Sequence, residues 1–298
     1  MKKTISVSIL IMLTLAVPKV GAQKTGFDFS GIDQFWKIAE ILERDLEPSE
    51  TEWSDLFQTP GYRELMRRES SFNEDSFKNS FRRVFKPSES QALGKALEKG
   101  TNRRLAHYAG VKFRRGDLKA FQERLVTGDF MEAALKKARD YLPQGAMDDR
   151  PEPPVSFIFF DPDGRGYVPI IIDLAYAYDK DKTDSLVDFL AHEIHHYYRN
   201  RNTDYDEGNI QVGHAEFVNS LNQLQIEGIA DQIDKHERFF LAENPDDSDY
   251  AKQYRKHVED SPRILDRVNA VLEEMADNPA RVPVLASKLY TPPSTEPK

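Results

Sequence analysis

The spacing of apolar residues departs from a helical pattern in one stretch of this 298-residue chain, and that stretch restricts the possible folds more than any other feature. Residues 23 to about 147 repeat apolar residues at helical spacing, with short breaks that contain Pro, Gly, Asn or Ser. After a Pro-rich connector at 142–154, VSFIFF and VPIIIDLAYAYD are rich in β-branched and aromatic residues, and the turn sequence DPDGRG separates them. We therefore predict a β-hairpin in an α+β fold that is mostly helical.

The first 22 residues predict a signal peptide. Lys2 and Lys3 form a basic start, ISVSILIMLTLAV is an apolar run, and Val20-Gly21-Ala22 carries small residues before a cleavage site. The apolar run is too short to span a bilayer comfortably. We expect an exported protein, periplasmic or secreted, that has no membrane attachment once the signal is removed.

The segment FLAHEIHHYYRN places two histidines, His192 and His196, four residues apart. On a helix this spacing puts both rings on one face, where they can bind one metal ion, and Glu193 can reach a water molecule beside that ion. The chain has no cysteine, so a transition-metal site must use His, Asp and Glu, as catalytic zinc sites commonly do. His195 occupies a variable position, and we expect it to be a partly exposed or supporting residue rather than a ligand.

A third ligand is expected from the long helix predicted for residues 215–242. Glu227 and Asp231 are four residues apart in QIEGIADQID and therefore share one helix face. We expect Glu227 to bind the metal and Asp231 to accept a hydrogen bond from the far ring nitrogen of a ligand histidine. Glu216 and His214 lie at the start of the same helix, and either is an alternative third ligand.

The motif HEIHH at 192–196 and the motif EGIAD at 227–231 together resemble the gluzincin group of zinc metallopeptidases, and more narrowly bacterial families of exported zinc-dependent peptidases. The resemblance covers roughly residues 155–240. It implies a zincin-like core, in which the edge strand of a small sheet faces the cleft beside the ligand helix and the glutamate helix. The gap between the two motifs is longer than in thermolysin-like enzymes.

The motifs and the resemblance predict a zinc-dependent peptidase. Zn2+ is expected on His192, His196 and Glu227, with Glu193 as the general base. The expected partner is therefore a peptide or protein substrate. A formal charge of −9 gives no support to nucleic-acid binding. The second predicted strand, at 168–177, is expected to pair with an extended substrate, which favours an endopeptidase over an exopeptidase.

The chain is predicted to have three regions: a signal peptide at 1–22, a helical accessory region at 23–147, and a zincin-like catalytic region with a helical C-terminal tail at 148–298.

Two other functions stay open. A zinc hydrolase of a non-peptide bond would use the same ligands and base, whereas an exported helical binding protein with a structural zinc site would not need Glu193. A second hydrogen-bond donor to the reacting carbonyl oxygen would help catalysis. The candidates are His236, Tyr250 and Tyr254, and the sequence does not rank them.

Overall fold

The computed structural model describes residues 26–100, 102–202, 210, 214–241 and 246–290. The N-terminal helices are α1 (Ser30–Leu42), α2 (Glu50–Phe57), α3 (Pro60–Arg68), α4 (Glu74–Phe85), α5 (Ser90–Glu98), α6 (Arg103–Phe113), α7 (Arg115–Thr127) and α8 (Phe130–Arg139). The later helices are α9 (Leu174–Asp181), α10 (Leu186–Asn202), α11 (Ala215–Asp231), α12 (Asp249–Glu259), α13 (Ser261–Asp277) and α14 (Val282–Tyr290). Short 3-10 turns lie at Pro87–Glu89 and Pro279–Arg281, and a π-helical segment, Gln232–Leu241, continues α11.

The strands form one small mixed sheet in the order β1-β2-β4-β3. They are β1 (Phe27–Asp28), β2 (Val155–Ile158), β3 (Gly164–Arg165) and β4 (Ile170–Asp173). Strands β1, β2 and β4 are parallel, with Val155 opposite both Phe27 and Ile170. Strand β3 runs antiparallel to β4, with Gly164 opposite Ile172. The predicted mostly helical α+β composition is confirmed.

The predicted hairpin between the two apolar runs is wrong. β2 and β4 are parallel neighbours, and the turn sequence between them contains β3, which pairs with the far side of β4. The second run also ends as a strand at Asp173 and continues as α9. Both runs are buried on both faces, and such strands have continuous apolar sequences that do not reveal the direction of pairing.

The sheet lies inside the main hydrophobic core. Helices α1 and α3 contact β2, and the long helix α10 contacts α8, α9, α11, β4 and the π-helical segment. One cluster of buried residues runs from Phe27 to Ile233, so the boundary predicted near residue 147 passes through a shared core. A second, smaller cluster around Met275 and Leu285 joins α11, α13 and α14.

Asp173 fixes the corner between β4 and α9. Its side chain is fully buried and caps α9 by accepting a hydrogen bond from the Tyr176 backbone N–H at 2.9 Å. The other carboxylate oxygen accepts from the Phe160 backbone N–H at 2.9 Å and contacts His107 Nε2 on α6 at 2.8 Å. One carboxylate therefore ties the N-terminal helices to the strand that precedes the predicted metal-binding helix.

None of the helices in the described ranges is both long and apolar enough to cross a membrane. The signal peptide predicted at residues 1–22 lies outside the described residues.

Candidate metal centre

Helix α10 carries the two histidines toward a cleft. Its apolar stripe, which includes Leu190, Ile194 and Tyr197, is buried, and this burial fixes the rotation of the helix. The Nε2 atoms of His192 and His196 lie 3.0 Å apart, both directed at the same point. The predicted same-face arrangement of the two rings is therefore present.

Glu227 on α11 lies opposite these rings. Its Oε2 atom is 3.7 Å from His196 Nε2, and one ligand atom from each of His192, His196 and Glu227 lies within 4.8 Å of the others. In a tetrahedral site with zinc–nitrogen bonds of about 2.0–2.1 Å, two ligand atoms are about 3.3 Å apart. A set of two imidazoles and one carboxylate at this spacing fits a zinc ion with one position left open.

The alternative third ligands do not reach this point. Glu216 precedes Glu227 by eleven positions on the same helix, which is about 16 Å along its axis. His214 Nε2 instead lies 3.3 Å from the backbone oxygen of Ala276 on α13. The structure therefore brings Glu227, rather than these two residues, to the histidines, and its role as a ligand stays a prediction.

Glu193 is buried beside the histidines. Burial raises the pKa of its carboxyl to about 7, against the opposing effect of His192. The strand β3 passes so close that a Cβ atom on Gly164 would lie 2.5 Å from Glu193 Oε1. A Cβ atom on Gly166 would similarly lie 2.7 Å from His196 Cβ. The edge of the sheet therefore needs glycine at both positions to fit against α10.

The far ring nitrogen of His192 has a partner that the sequence analysis did not identify. His192 Nδ1 lies 3.1 Å from Asp234 Oδ1, and donation from Nδ1 leaves Nε2 free to bind a metal. The expected partner, Asp231, instead binds the ammonium group of Lys235. Asp234 is seven residues after Glu227, nearly two full helical turns, so this spacing could have revealed it.

The structure also describes the surroundings of His195 and of two candidate donors to the reacting carbonyl oxygen. His195 is buried rather than partly exposed. Burial, followed by the nearby His192, lowers the pKa of His195 to about 4, so the ring is neutral. Of the candidate donors, Tyr250 lines the cleft, while the ring of His236 packs against Phe240.

Two cavities meet at the centre, and both are lined by Asp163, His192, Glu193 and Glu227. One, of about 500 Å³, extends along β3 to Tyr167. The other, of about 480 Å³, extends between α9 and the π-helical segment, and we call it the α9 cavity. The candidate metal site thus lies in the middle of a continuous cleft.

The model of one protein family, described as “Putative zinc dependent peptidase (DUF5700)”, matches residues 53–292. This match covers well over half of the chain and includes the candidate ligands as well as most of the N-terminal helices. No curated protein and no solved structure matches the chain. The description of the family and the geometry of the histidine and glutamate side chains agree on zinc as the cofactor.

Proposed function

We propose that this chain, which belongs to the DUF5700 family, is a zinc-dependent endopeptidase whose metal ligands are His192, His196 and Glu227. The observation that carries the proposal is the convergence of these three side chains within 4.8 Å, with the buried carboxyl of Glu193 beside them. A zinc site with only a structural role does not require the Glu193 carboxyl, whereas hydrolysis requires a general base.

Glu193 performs the proton transfers in this proposal. A zinc ion held by the three ligands supplies Lewis acidity to the reacting water and carbonyl groups. Glu193 accepts a proton from the attacking water and later donates it to the leaving nitrogen of the peptide. Its pKa of about 7, raised by burial, suits both steps because a general base works best when its pKa is near the working pH.

Asp234 positions the first ligand. By accepting the Nδ1 proton of His192, it holds the ring in the tautomer whose Nε2 lone pair faces Glu227 and His196. Burial, with a further contribution from His192, lowers the pKa of His196 to about 3, so this second ring is neutral and able to bind a metal ion.

The edge strand β3 is the proposed binding surface for the substrate backbone. The sequence had suggested the strand at 168–177, but β4 already has β2 and β3 as neighbours and offers no free edge. β3 pairs with β4 on one side only, and its residues line the cleft next to Glu193 and His196. Because the cleft continues on both sides of the centre, an extended chain can pass through it without a free terminus, which favours internal cleavage.

The proposal extends to the architecture and the location of the protein. An edge strand above a ligand helix, with a glutamate helix opposite, corresponds to a zincin-like core. The signal peptide predicted at residues 1–22 supports export to the periplasm or the medium, where the substrate would be a peptide or an unfolded protein segment. The negative net charge supports no role in nucleic-acid binding.

A Glu193→Gln variant tests this function, with Glu216→Gln as the matched control. We expect one zinc ion per chain in both variants, and loss of about 100- to 10,000-fold in cleavage rate in Glu193→Gln alone, because a general base contributes about that much. Elemental analysis and mass spectrometry of peptides blocked at both ends provide the measurements. Zinc-free wild-type protein, or full activity of Glu193→Gln, contradicts the proposal, and cleavage of esters but not peptides favours the non-peptide hydrolase.

A further inference from the structure

We propose that Lys180 binds a carboxylate of the substrate in the α9 cavity and makes the enzyme selective for an acidic group on the C-terminal side of the cleaved bond. This inference rests on the proposed peptidase function and adds a specificity-determining residue to it.

The position of Lys180 is fixed by its surroundings. It lies in the last turn of α9, where its backbone oxygen accepts hydrogen bonds from the Ser185 N–H at 2.9 Å and from Ser185 Oγ at 3.1 Å. Its ammonium nitrogen lies 5.0 Å from the centre of the Tyr176 ring and 5.6 Å from that of Phe189. Lys180, Tyr176 and Phe189 all line the α9 cavity together with Glu193. Two aromatic rings therefore hold the cation beside the reacting centre.

Among the described residues, Lys180 differs from Lys235 and Arg238, the other Lys and Arg side chains that line the cavity, in that it has no carboxylate partner. In the described part of the chain, its ammonium group forms no ion pair within 4.0 Å. Lys235 is paired with Asp231, and Arg238 is paired with Asp246. A carboxylate that enters this cavity can therefore form an ion pair with Lys180 without breaking an existing ion pair.

The burial of Lys180 supports this assignment. Burial lowers the pKa of Lys180, because the surrounding side chains remove water that would otherwise stabilise its charge. The rings of Tyr176 and Phe189 replace only part of that stabilisation. A substrate carboxylate would supply a charge-assisted hydrogen bond to the ammonium group, which is among the stronger polar contacts in proteins.

The direction of β3 determines which side of the substrate meets Lys180. The strand runs from Asp163, which lines both cavities, toward Tyr167, which lines only the other one. Antiparallel pairs of strands are commoner than parallel ones, so we take the substrate to run antiparallel to β3. Its residues after the cleaved bond then occupy the α9 cavity. The carboxylate that Lys180 binds belongs either to an Asp or Glu side chain there or to the free C-terminus of a short substrate.

Matched peptides distinguish these two sources. Peptides that carry Glu or Gln at each of the first three positions after the cleaved bond are prepared with a free or an amidated C-terminus. Dependence of kcat/KM on Glu indicates side-chain recognition, and dependence on the free terminus indicates recognition of the chain end. We expect the preferred carboxylate to raise kcat/KM by about 10- to 100-fold, the usual contribution of a hydrogen bond to a charged group.

Variants connect that preference to Lys180. Lys180→Met should remove it and leave the kcat/KM for neutral, amidated peptides unchanged. Lys182→Met is the matched control, because Lys182 is exposed two residues later and lies over the Tyr178 ring, outside the cavity. Lys180→Gln keeps a polar side chain and replaces Lys180→Met if that variant does not fold.

A binding measurement separates this inference from the proposed function. Calorimetric titration of the Glu193→Gln variant with the same peptides reports affinity without cleavage, before and after the Lys180→Met change is added. Tighter binding of the acidic peptide that depends on Lys180 supports the inference even if the wild-type protein cleaves nothing, an outcome that would refute only the peptidase function. Equal kcat/KM and equal affinity for acidic and neutral peptides overturn the inference, as does an equal loss on both in Lys180→Met.

Discussion

Replacing Gly164 with alanine tests whether the position of Glu193 controls the reaction. A Cβ atom on residue 164 would lie 2.5 Å from Glu193 Oε1 and 2.8 Å from Phe189 Cζ. Ordinary van der Waals contact begins at 3.4 Å, so the carboxylate must retreat by about 0.9 Å to restore that distance. The perturbation therefore acts directly on the proposed general base.

We expect Gly164→Ala to reduce activity more than stability. Misplacing a reacting group by about 1 Å can reduce the rate about 100-fold, so we expect kcat/KM to fall by roughly that factor. A carboxylate at the end of a side chain moves more easily than a backbone, so the free energy of unfolding should fall by no more than the low end of the usual 1–3 kcal/mol, about 1 kcal/mol. The zinc content should stay at one ion per chain, because Gly164 contacts no proposed ligand so closely.

Gly228→Ala is the matched control. It lies next to Glu227, yet a Cβ atom there would meet nothing within 4 Å. Alanine in a helix should stabilise the protein by up to about 1 kcal/mol and leave cleavage unchanged. Peptide cleavage, elemental analysis and urea denaturation of both variants give the three readouts. A folded, zinc-loaded Gly164→Ala protein with wild-type kcat/KM would show that the reaction does not depend on the present position of Glu193.

Three further predictions concern the ligands and the core. Glu227→Ala should lower zinc affinity severely and Glu216→Ala should not, as measured by competition with a chelator, because Glu227 lies beside both histidines and Glu216 does not. Asp234→Asn should lower zinc affinity by about 10- to 100-fold in the same assay, because His192 loses the acceptor that holds its tautomer. In urea denaturation, the stability advantage of wild type over His107→Gln should be full below about pH 6.5 and shrink at higher pH. Burial of His107 opposes protonation, but the Asp173 carboxylate outweighs it and raises the pKa of His107.

Each of these predictions has a contrary outcome. A loss of zinc in Glu216→Ala that equals the loss in Glu227→Ala would refute the ligand assignment. Unchanged affinity in Asp234→Asn would show that this contact does not orient His192. A stability difference for His107→Gln that is constant from pH 5.5 to pH 8.5, two values chosen to bracket the ordinary histidine pKa of about 6.5, would refute the ion pair with Asp173.

Local sequence signals were sufficient to predict helix α10 and the shared face of its two histidines. The spacing of His192 and His196 and the apolar stripe behind them depend only on the geometry of α10 itself. Glu227 could also be proposed from the sequence, because it is four residues before Asp231 on a predicted helix and shares one face with it. The helix pairing that brings α11 to α10 depends on tertiary packing, so the sequence left Glu216 and His214 as alternatives.

The strand pairing of the sheet and the hydrogen-bond partner of His192 could not be predicted from local sequence patterns. Two short apolar runs separated by a turn fit a hairpin as well as two parallel strands, and the choice is made by packing against α1 and α3 from a distant part of the chain. The acceptor for His192 was expected at Asp231, but Lys235 engages that carboxylate and Asp234 makes the contact. These competing side-chain pairs arise only when the π-helical segment is in place.

The parallel pairing of β1 with β2 affects the order in which the protein can form. Strand β1 is synthesised before α1 to α8, and its partner β2 follows only after them. Contacts between such distant segments form slowly, because the intervening loop must be closed before the contact contributes. The elements around the cleft, from β3 to the π-helical segment, come later still. A nascent chain therefore carries no assembled cleft, so a hydrolase built in this order remains inactive during its own synthesis and, if it is exported, until it refolds beyond the membrane.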